Sequence, residues 1–251
     1  MKFKIGCKTD IGRKKSNNED SYYFLENVGL FGVADGMGGH AGGEVASKLA
    51  AETITKRVAG AGDRLDKIEN IPSFISNIIT IASDSIKQEA LENPSLRGMG
   101  TTLVQALCVN GKVFVSNIGD ARCYKLSASG EFSLISHDHS QIQDYIDDGL
   151  ITEEQAKVHP MRHVITQAVG YTDNLNARTV ECEYKAGDYY LLCSDGLNDQ
   201  FKNDGEIKDL MVKSLAETGD DLDATCQKMV DEANELGGRD NITVLIFKIL
   251  E

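Results

Sequence analysis

The stretch TTLVQALCVNGKVFVSNIG, residues 101–119, restricts what this chain can fold into. Two apolar runs of strand length flank Asn110-Gly111, a pair that tolerates the positive φ a two-residue hairpin turn demands. Strands joined this tightly are antiparallel. Similar runs fall at roughly 3–9, 21–25, 28–34, 121–127, 131–136, 177–184, 188–194 and 242–249. SASG at 127–130 reads as a second tight turn.

Helical patterns occupy the gaps between these strand groups. Over 43–59, Val45, Leu49, Thr53, Ile54 and Val58 recur every three to four residues. Over 73–91, Ile75, Ile78, Ile79, Ala82, Ile86 and Ala90 keep the same rhythm. Further helices are expected near 205–217 and 222–236, with Gly237 as a stop for the last. Hairpins separated by pairs of helices imply an α+β sandwich, not the strict strand–helix alternation of a doubly wound parallel sheet.

The chain has 251 residues with a net charge of −13, which argues against a nucleic-acid partner. Its longest apolar runs are strand-length, too short to span a membrane. The N-terminus MKFKIGCKTD lacks the apolar core and cleavage site of a secretory signal. No C-x-x-C pair occurs, and Cys108 and Cys193 lie inside apolar strands, the setting of buried free thiols. A reducing compartment, the cytoplasm, is the expected location.

Four aspartates stand in comparable places. Asp35, Asp120 and Asp195 each follow an apolar strand, and Asp240 leads into one. In antiparallel sheets, C-terminal and N-terminal strand ends share an edge, so all four can meet at one rim. Asp-Gly pairs are also common turn formers. Four such sites beside apolar strands favour a carboxylate cluster for hard divalent cations such as Mg²⁺ or Mn²⁺.

Other constellations carry less. His137 and His139 in HDHS lack a third zinc ligand, and a solvated strand end is the expected reading. HPMRH, with His159 and His163, lacks the Glu of H-E-x-x-H. Ser194 is not in a G-x-S-x-G elbow. The glycine-rich VADGMGGHAGGE misses the dinucleotide fingerprint by one residue, and Glu44 stands where a phosphate-loop lysine would be.

Taken in order, TDIGRKKSNNED, VADGMGGHAGGEVAS, GMGTTL, NIGDARCY, HDHS, HPMRHVITQAVG, LLCSDGL and GGRDNITV cover residues 9 to 244. Together they closely resemble the metal-dependent (type 2C, PPM) serine/threonine protein phosphatases in their compact bacterial form. The resemblance implies a four-layer α-β-β-α sandwich, two antiparallel sheets flanked by helix pairs. It makes residues 1–251 a single catalytic domain, with a flap at about 140–170. It also implies two core Mn²⁺ or Mg²⁺ ions and a third.

Carried onto matching positions, Asp35 would bridge two metals and the Gly36 carbonyl would bind one of them. Asp195 and Asp240 would complete the first ion's protein ligands. Glu19 would serve the second, with Asp20 supporting it, and Asp120 with Asp195 matches the third site. Hydrolysis would use a water bridging two cations about 3.5–4 Å apart, without a covalent phosphoenzyme. His40 is the expected general acid for the leaving Ser/Thr oxygen.

Some positions depart from the family. Lys15 stands where it places a phosphate-gripping Arg, which exchanges a bidentate fork for a point charge. Arg13 is the other candidate for that grip. Ala121 and Gln167 also replace usual residues, and Thr152 with Gln155 reads as a capping box in the flap. His159 is expected to contact substrate. The implied partners are phosphorylated Ser/Thr proteins, substrates of an opposing kinase, met by a monomer. The alternative is a catalytically weak regulatory or phosphoprotein-binding relative.

Overall fold

The computed structural model describes residues 2–38, 42–156 and 158–251. The expected Asn110-Gly111 hairpin is present, with φ of 53° and 74° at its two residues. It joins β5 (Leu103–Val109) to β6 (Lys112–Ile118) in a sheet ordered β2-β3-β5-β6-β9. Here β2 is Asp20–Leu25, β3 Leu30–Met37 and β9 Arg178–Cys182, while the two-residue β4 (Gly100–Thr101) pairs with the end of β3. The other sheet runs β1-β11-β10-β7-β8, comprising Phe3–Asp10, Ile242–Ile249, Tyr189–Cys193, Arg122–Leu126 and Phe132–Leu134. Every named pairing is antiparallel. The SASG turn closes β7–β8, where Gly130 at φ 88° donates its N–H to the Ser127 carbonyl.

The central strands of both sheets are buried on both faces, which explains their near-continuous apolar runs. On β11, Leu245, Phe247 and Ile249 point between the sheets, whereas Ile242, Val244 and Ile246 point to the outer helices. The inter-sheet layer is built on aromatic rings. Phe31 stacks on Phe247 at 4.0 Å, Tyr190 stacks on the same ring at 5.0 Å, and Phe3 meets Phe31 edge-on at 5.1 Å.

Helices α1 (Gly42–Ala61) and α2 (Ile71–Glu92) cover the β2–β9 sheet. Asn70 caps α2 by accepting the Ser73 N–H, and Pro72 sits in its first turn. Of the predicted face, Ile75, Ile78, Ile79, Ala82 and Ile86 are buried and Ala90 is partly buried, while Ile71, ahead of the expected start, joins the buried face. The face of α1 differs from the predicted one. Ala46, Ala50, Ala51, Ile54 and Val58 are buried, while Val45 and Leu49 pack at the margin. Small side chains let α1 approach β3 closely; a Cβ on Gly36 would lie 2.1 Å from the Gly43 carbonyl oxygen.

The opposite sheet is covered by α6 (Asp204–Thr218) and α7 (Leu222–Glu235), capped by Asn203 and Asp221. Two shorter helices, α3 (Gln141–Asp147) and α4 (Glu153–Ala156), lie in the flap, and α5 (Asp195–Asn198) follows β10. The Thr152–Gln155 capping box forms in both directions: Gln155 accepts the Thr152 N–H at 2.9 Å and Thr152 the Gln155 N–H at 3.3 Å. The result is the expected α+β, four-layer α-β-β-α sandwich.

Because Phe247 touches three aromatic partners at the centre of the inter-sheet layer, Phe247→Ala should lower the unfolding free energy by about 3–5 kcal/mol. A shift of the urea midpoint at unchanged slope measures this.

Candidate active site

The antiparallel arrangement brings the four aspartates to one rim. Asp35 lies near the C-terminal end of β3, Asp120 follows β6, Asp195 follows β10, and Asp240 precedes β11. They line one open cleft of about 900 Å³ with Glu19, the Gly36 backbone and Lys15. Asp20 lies behind this lining, buried, directly opposite Asp35 in the β2–β3 pair.

Local hydrogen bonds fix these positions. The Asp35 carbonyl accepts the Thr102 N–H at 2.7 Å and the Thr101 hydroxyl at 2.8 Å. The loop carrying Lys15 and Glu19 is tied to the start of β11 by Asn241. Its amide donates to the Ile11 and Asn17 carbonyls at 2.9 Å each, and its Oδ1 accepts the Glu19 N–H at 2.8 Å. The turn bearing Asp120 is held by His139: its N–H donates to the Gly119 carbonyl and its Nδ1 accepts the Gly119 N–H. Burial lowers the His139 pKa, favouring the neutral ring that can accept there.

Carboxylates packed this way repel one another. Desolvation, reinforced by Asp20, Asp195, Asp120 and Asp240, pushes the Asp35 pKa well above the ordinary carboxylate value. Asp195 is raised for the same reasons, first burial and then Asp120, Asp199, Asp240 and Asp20. Burial brings Asp20 to about 6 and, with Asp138 and Asp199 nearby, Asp120 to about 7. Among the described residues, Oδ1 of Asp20 and Oδ1 of Asp195 are buried without a hydrogen-bond partner. Lys15 brings an ammonium into the cleft, 2.6 Å from Asp240 Oδ1. Burial opposes its charge, but Asp240, Asp35 and Glu19 outweigh that and raise its pKa.

Among the described residues no three His, Cys, Asp or Glu side chains form a ready-made coordination shell. The donors instead surround a common opening. Oxygen-only ligands, excess negative charge and unpartnered buried carboxylate oxygens are the chemistry that hard divalent cations complete, so the residues present fit Mg²⁺ or Mn²⁺.

Not every sequence candidate reaches the cleft. Arg13 is exposed and outside the lining, its N–H bonded to the Gly238 carbonyl at 2.7 Å. His159 also stays outside, its ring against Tyr145 and its Nδ1 accepting the Met161 N–H. From the segment at about 140–170, His163 and Ile165 line the cleft, and His163 is paired through Nδ1 with Asp199 at 2.9 Å. His40 lies outside the described residues. His137 and His139 do not form a metal pair: His137 bonds Asp147 at 2.7 Å, and His139 is buried instead of solvated. Sequence reasoning missed Asn241, His139 and His163, whose partners lie far away in the chain or carry no motif. Ser194, set aside as a nucleophile, instead donates to Asp20 Oδ2.

A carboxyl whose folded pKa exceeds its unfolded value binds protons more readily when folded. The stability linked to it is complete below the unfolded pKa of about 4 and is lost as pH rises through the folded one. For Asp20 and Asp120 that window ends at about 6 and about 7. The melting temperature of EDTA-treated protein should therefore fall between pH 4 and 7, and Asp120→Asn should make that fall shallower. Thermal scans at fixed ionic strength measure both.

A family model described as Protein phosphatase 2C matches residues 10–231. Protein phosphatase PhpP of Streptococcus pneumoniae is 31% identical over 250 residues, with 98% of each chain covered. Serine/threonine protein phosphatase PstP of Mycobacterium tuberculosis is 34% identical over 250 residues, covering 99% of this chain and 45% of that longer protein. A crystal structure of the M. tuberculosis phosphatase superposes with a TM-score of 0.87 at 31% identity, covering 100% of both chains. The PstP catalytic domain in complex with two manganese ions superposes at a TM-score of 0.81 and 30% identity, covering 99% of both chains. Family match, near-complete alignment and shared sandwich agree: the chain belongs to the protein phosphatase 2C family of bacterial PPM-type serine/threonine protein phosphatases.

Proposed function

We propose that residues 1–251 act as a single catalytic domain that hydrolyses phosphoserine and phosphothreonine esters in proteins, with the flap at about 140–170 beside the cleft. The observation carrying this reading is the convergence of Glu19, Asp35, Asp120, Asp195 and Asp240 on one opening, backed by carboxylate oxygens without partners among the described residues. Asp35, the Gly36 carbonyl, Asp195 and Asp240 would hold one Mn²⁺ or Mg²⁺ ion. Asp35 and Glu19 would hold a second, and Asp120 with Asp195 a third. Bound there, such cations supply a water of lowered pKa and offset the negative charge of the phosphoryl group.

The chain's own residues do the remaining work. The carboxylates are fixed on strand ends and short turns, so the site is organised before substrate arrives. Lys15 is a cation in the cleft lining and pairs with the phosphate as a point charge, whereas Arg13 lies outside that lining. His40 would deliver the proton to the leaving Ser/Thr oxygen, a role resting on its place five residues after Asp35 in the glycine-rich loop. His163, held by Asp199, borders the same opening from the flap.

The partners on this reading are phosphorylated proteins made by an opposing Ser/Thr kinase, and the enzyme works as a monomer in the cytoplasm. Six free cysteines support a reducing setting. Among the described residues no helix is long and apolar enough to cross a membrane.

Hydrolysis of a phosphothreonine peptide should require Mn²⁺ or Mg²⁺, and Asp195→Ala should lower kcat by at least about 100-fold, the scale expected when an electrostatic element of the transition state is removed. Phosphate release measured with and without EDTA decides this. Metal-independent turnover would refute the reading, and phosphopeptide binding without turnover would identify a catalytically weak relative. Lys15→Ala should raise KM for the phosphopeptide about tenfold, the loss of roughly one charge-assisted contact; steady-state kinetics with Arg13→Ala in parallel assigns the grip.

A further inference from the structure

Asp20 is 9% exposed, yet it does not touch the cleft. Its two oxygens are treated unequally. Oδ2 accepts the Ser194 hydroxyl and the Thr243 hydroxyl, each at 2.7 Å, whereas Oδ1 is buried with no hydrogen-bond donor among the described residues. Asp20 and Asp35 stand opposite one another in the β2–β3 pair, which places both carboxyl groups on one face.

The direction of every hydrogen bond around Oδ2 is forced. A carboxylate only accepts, so both hydroxyl protons point at it. The Ser194 oxygen then accepts the Thr243 N–H at 2.9 Å. The Thr243 oxygen accepts the Thr9 hydroxyl at 2.7 Å, and Thr9 in turn accepts the Asn18 amide at 2.8 Å. Asn18 closes the loop by accepting the Asp20 N–H at 3.1 Å. Ser194 and Thr243 are fully buried, so water does not compete for these bonds. Two charge-assisted bonds on one oxygen orient the carboxylate against the Asp35 carboxyl and leave its other oxygen with no hydroxyl or amide donor among the described residues.

We propose that Ser194 and Thr243, with Thr9 behind Thr243, are positioning residues that hold Asp20 against the Asp35 carboxyl and thereby set the cleft's affinity for divalent cations. This rests on the reading of the cleft as a Mn²⁺ or Mg²⁺ site and extends it to residues that touch neither the cleft nor the substrate. Groups that orient a metal's surroundings in this way are worth about 10–100-fold in metal affinity. Three strands contribute, since Thr9 is the next-to-last residue of β1, Ser194 follows β10, and Thr243 is the second residue of β11. Cation affinity is thereby tied to the register of the central sheet.

The test is direct titration of full-length, EDTA-stripped protein with Mn²⁺, followed by isothermal calorimetry and by the electron spin resonance signal of free Mn²⁺. Thr243→Val keeps the side-chain shape and removes the hydroxyl; Ser194→Ala removes the other donor. Each should weaken the tightest Mn²⁺ step by about 10–100-fold, and Thr243→Ser should restore it. Thr9→Val, at an exposed position, should weaken it less and leaves the core intact. Thermal scans of the stripped proteins run alongside. Lower melting temperatures with unchanged Mn²⁺ affinity would reduce the hydroxyls to ordinary structural bonds and overturn the proposal. If wild type itself takes up no Mn²⁺, the cation reading of the cleft fails first and this inference with it.

Discussion

Sheets buried on both faces leave chemistry only their rims. In this molecule Phe31, Tyr190 and Phe247 lock the two sheets face to face, while α1 with α2 and α6 with α7 seal the outer faces. The central strands β3, β5, β6, β10 and β11 have no solvated face among the described residues, and exposure is confined to edge strands such as β2 and β9. Polar function is therefore pushed to the strand ends, and the antiparallel order gathers ends from β2, β3, β6, β10 and β11 at one place.

That concentration has an electrostatic cost. Asp35, Asp120 and Asp195 sit where desolvation and mutual repulsion both oppose ionisation, and Lys15 offsets only part of it. Such a rim is stable in its ionised form only with added positive charge, which divalent cations supply more compactly than side chains can. The protein invests its own hydrogen bonds in the same rim: Asn241 ties the Glu19 loop, His139 the Asp120 turn, and Ser194 with Thr243 the Asp20 carboxylate. Stability and cation chemistry thus draw on one set of contacts.

Much of this was legible in the sequence because the signals are local. The Asn110-Gly111 turn depends on two adjacent residues that accept positive φ. The α2 face follows from six apolar residues at helical spacing, and the Thr152–Gln155 box from two residues three apart. The face of α1 was misjudged because alanine is weak as a hydrophobic signal, yet small side chains are what a close helix–sheet approach selects. In HPMRH the sequence expectation falls on His159 and not on His163. Only the packing of the flap turns one onto Tyr145 and the other to the cleft.

The sequence by itself determined the main strands and long helices, the sandwich class and the set of strand-end carboxylates, since each rests on a pattern within one turn or one strand, whereas the short β4, α3 and α5 emerged only in the structure. Tertiary structure decided which side chains meet. The pairing of β1 with β11 joins residues some 240 positions apart, as Phe3↔Ile249 shows. From it follow the Thr9–Thr243 contact and the clamp on Asp20, which no local pattern encodes. It also decided that Lys15 and not Arg13 enters the cleft, because the same loop pins the Arg13 backbone to Gly238 and directs Lys15 to Asp240. Motifs name the donors; their unequal protonation, partners and reach are properties of the assembled rim, where burial and charge act through space.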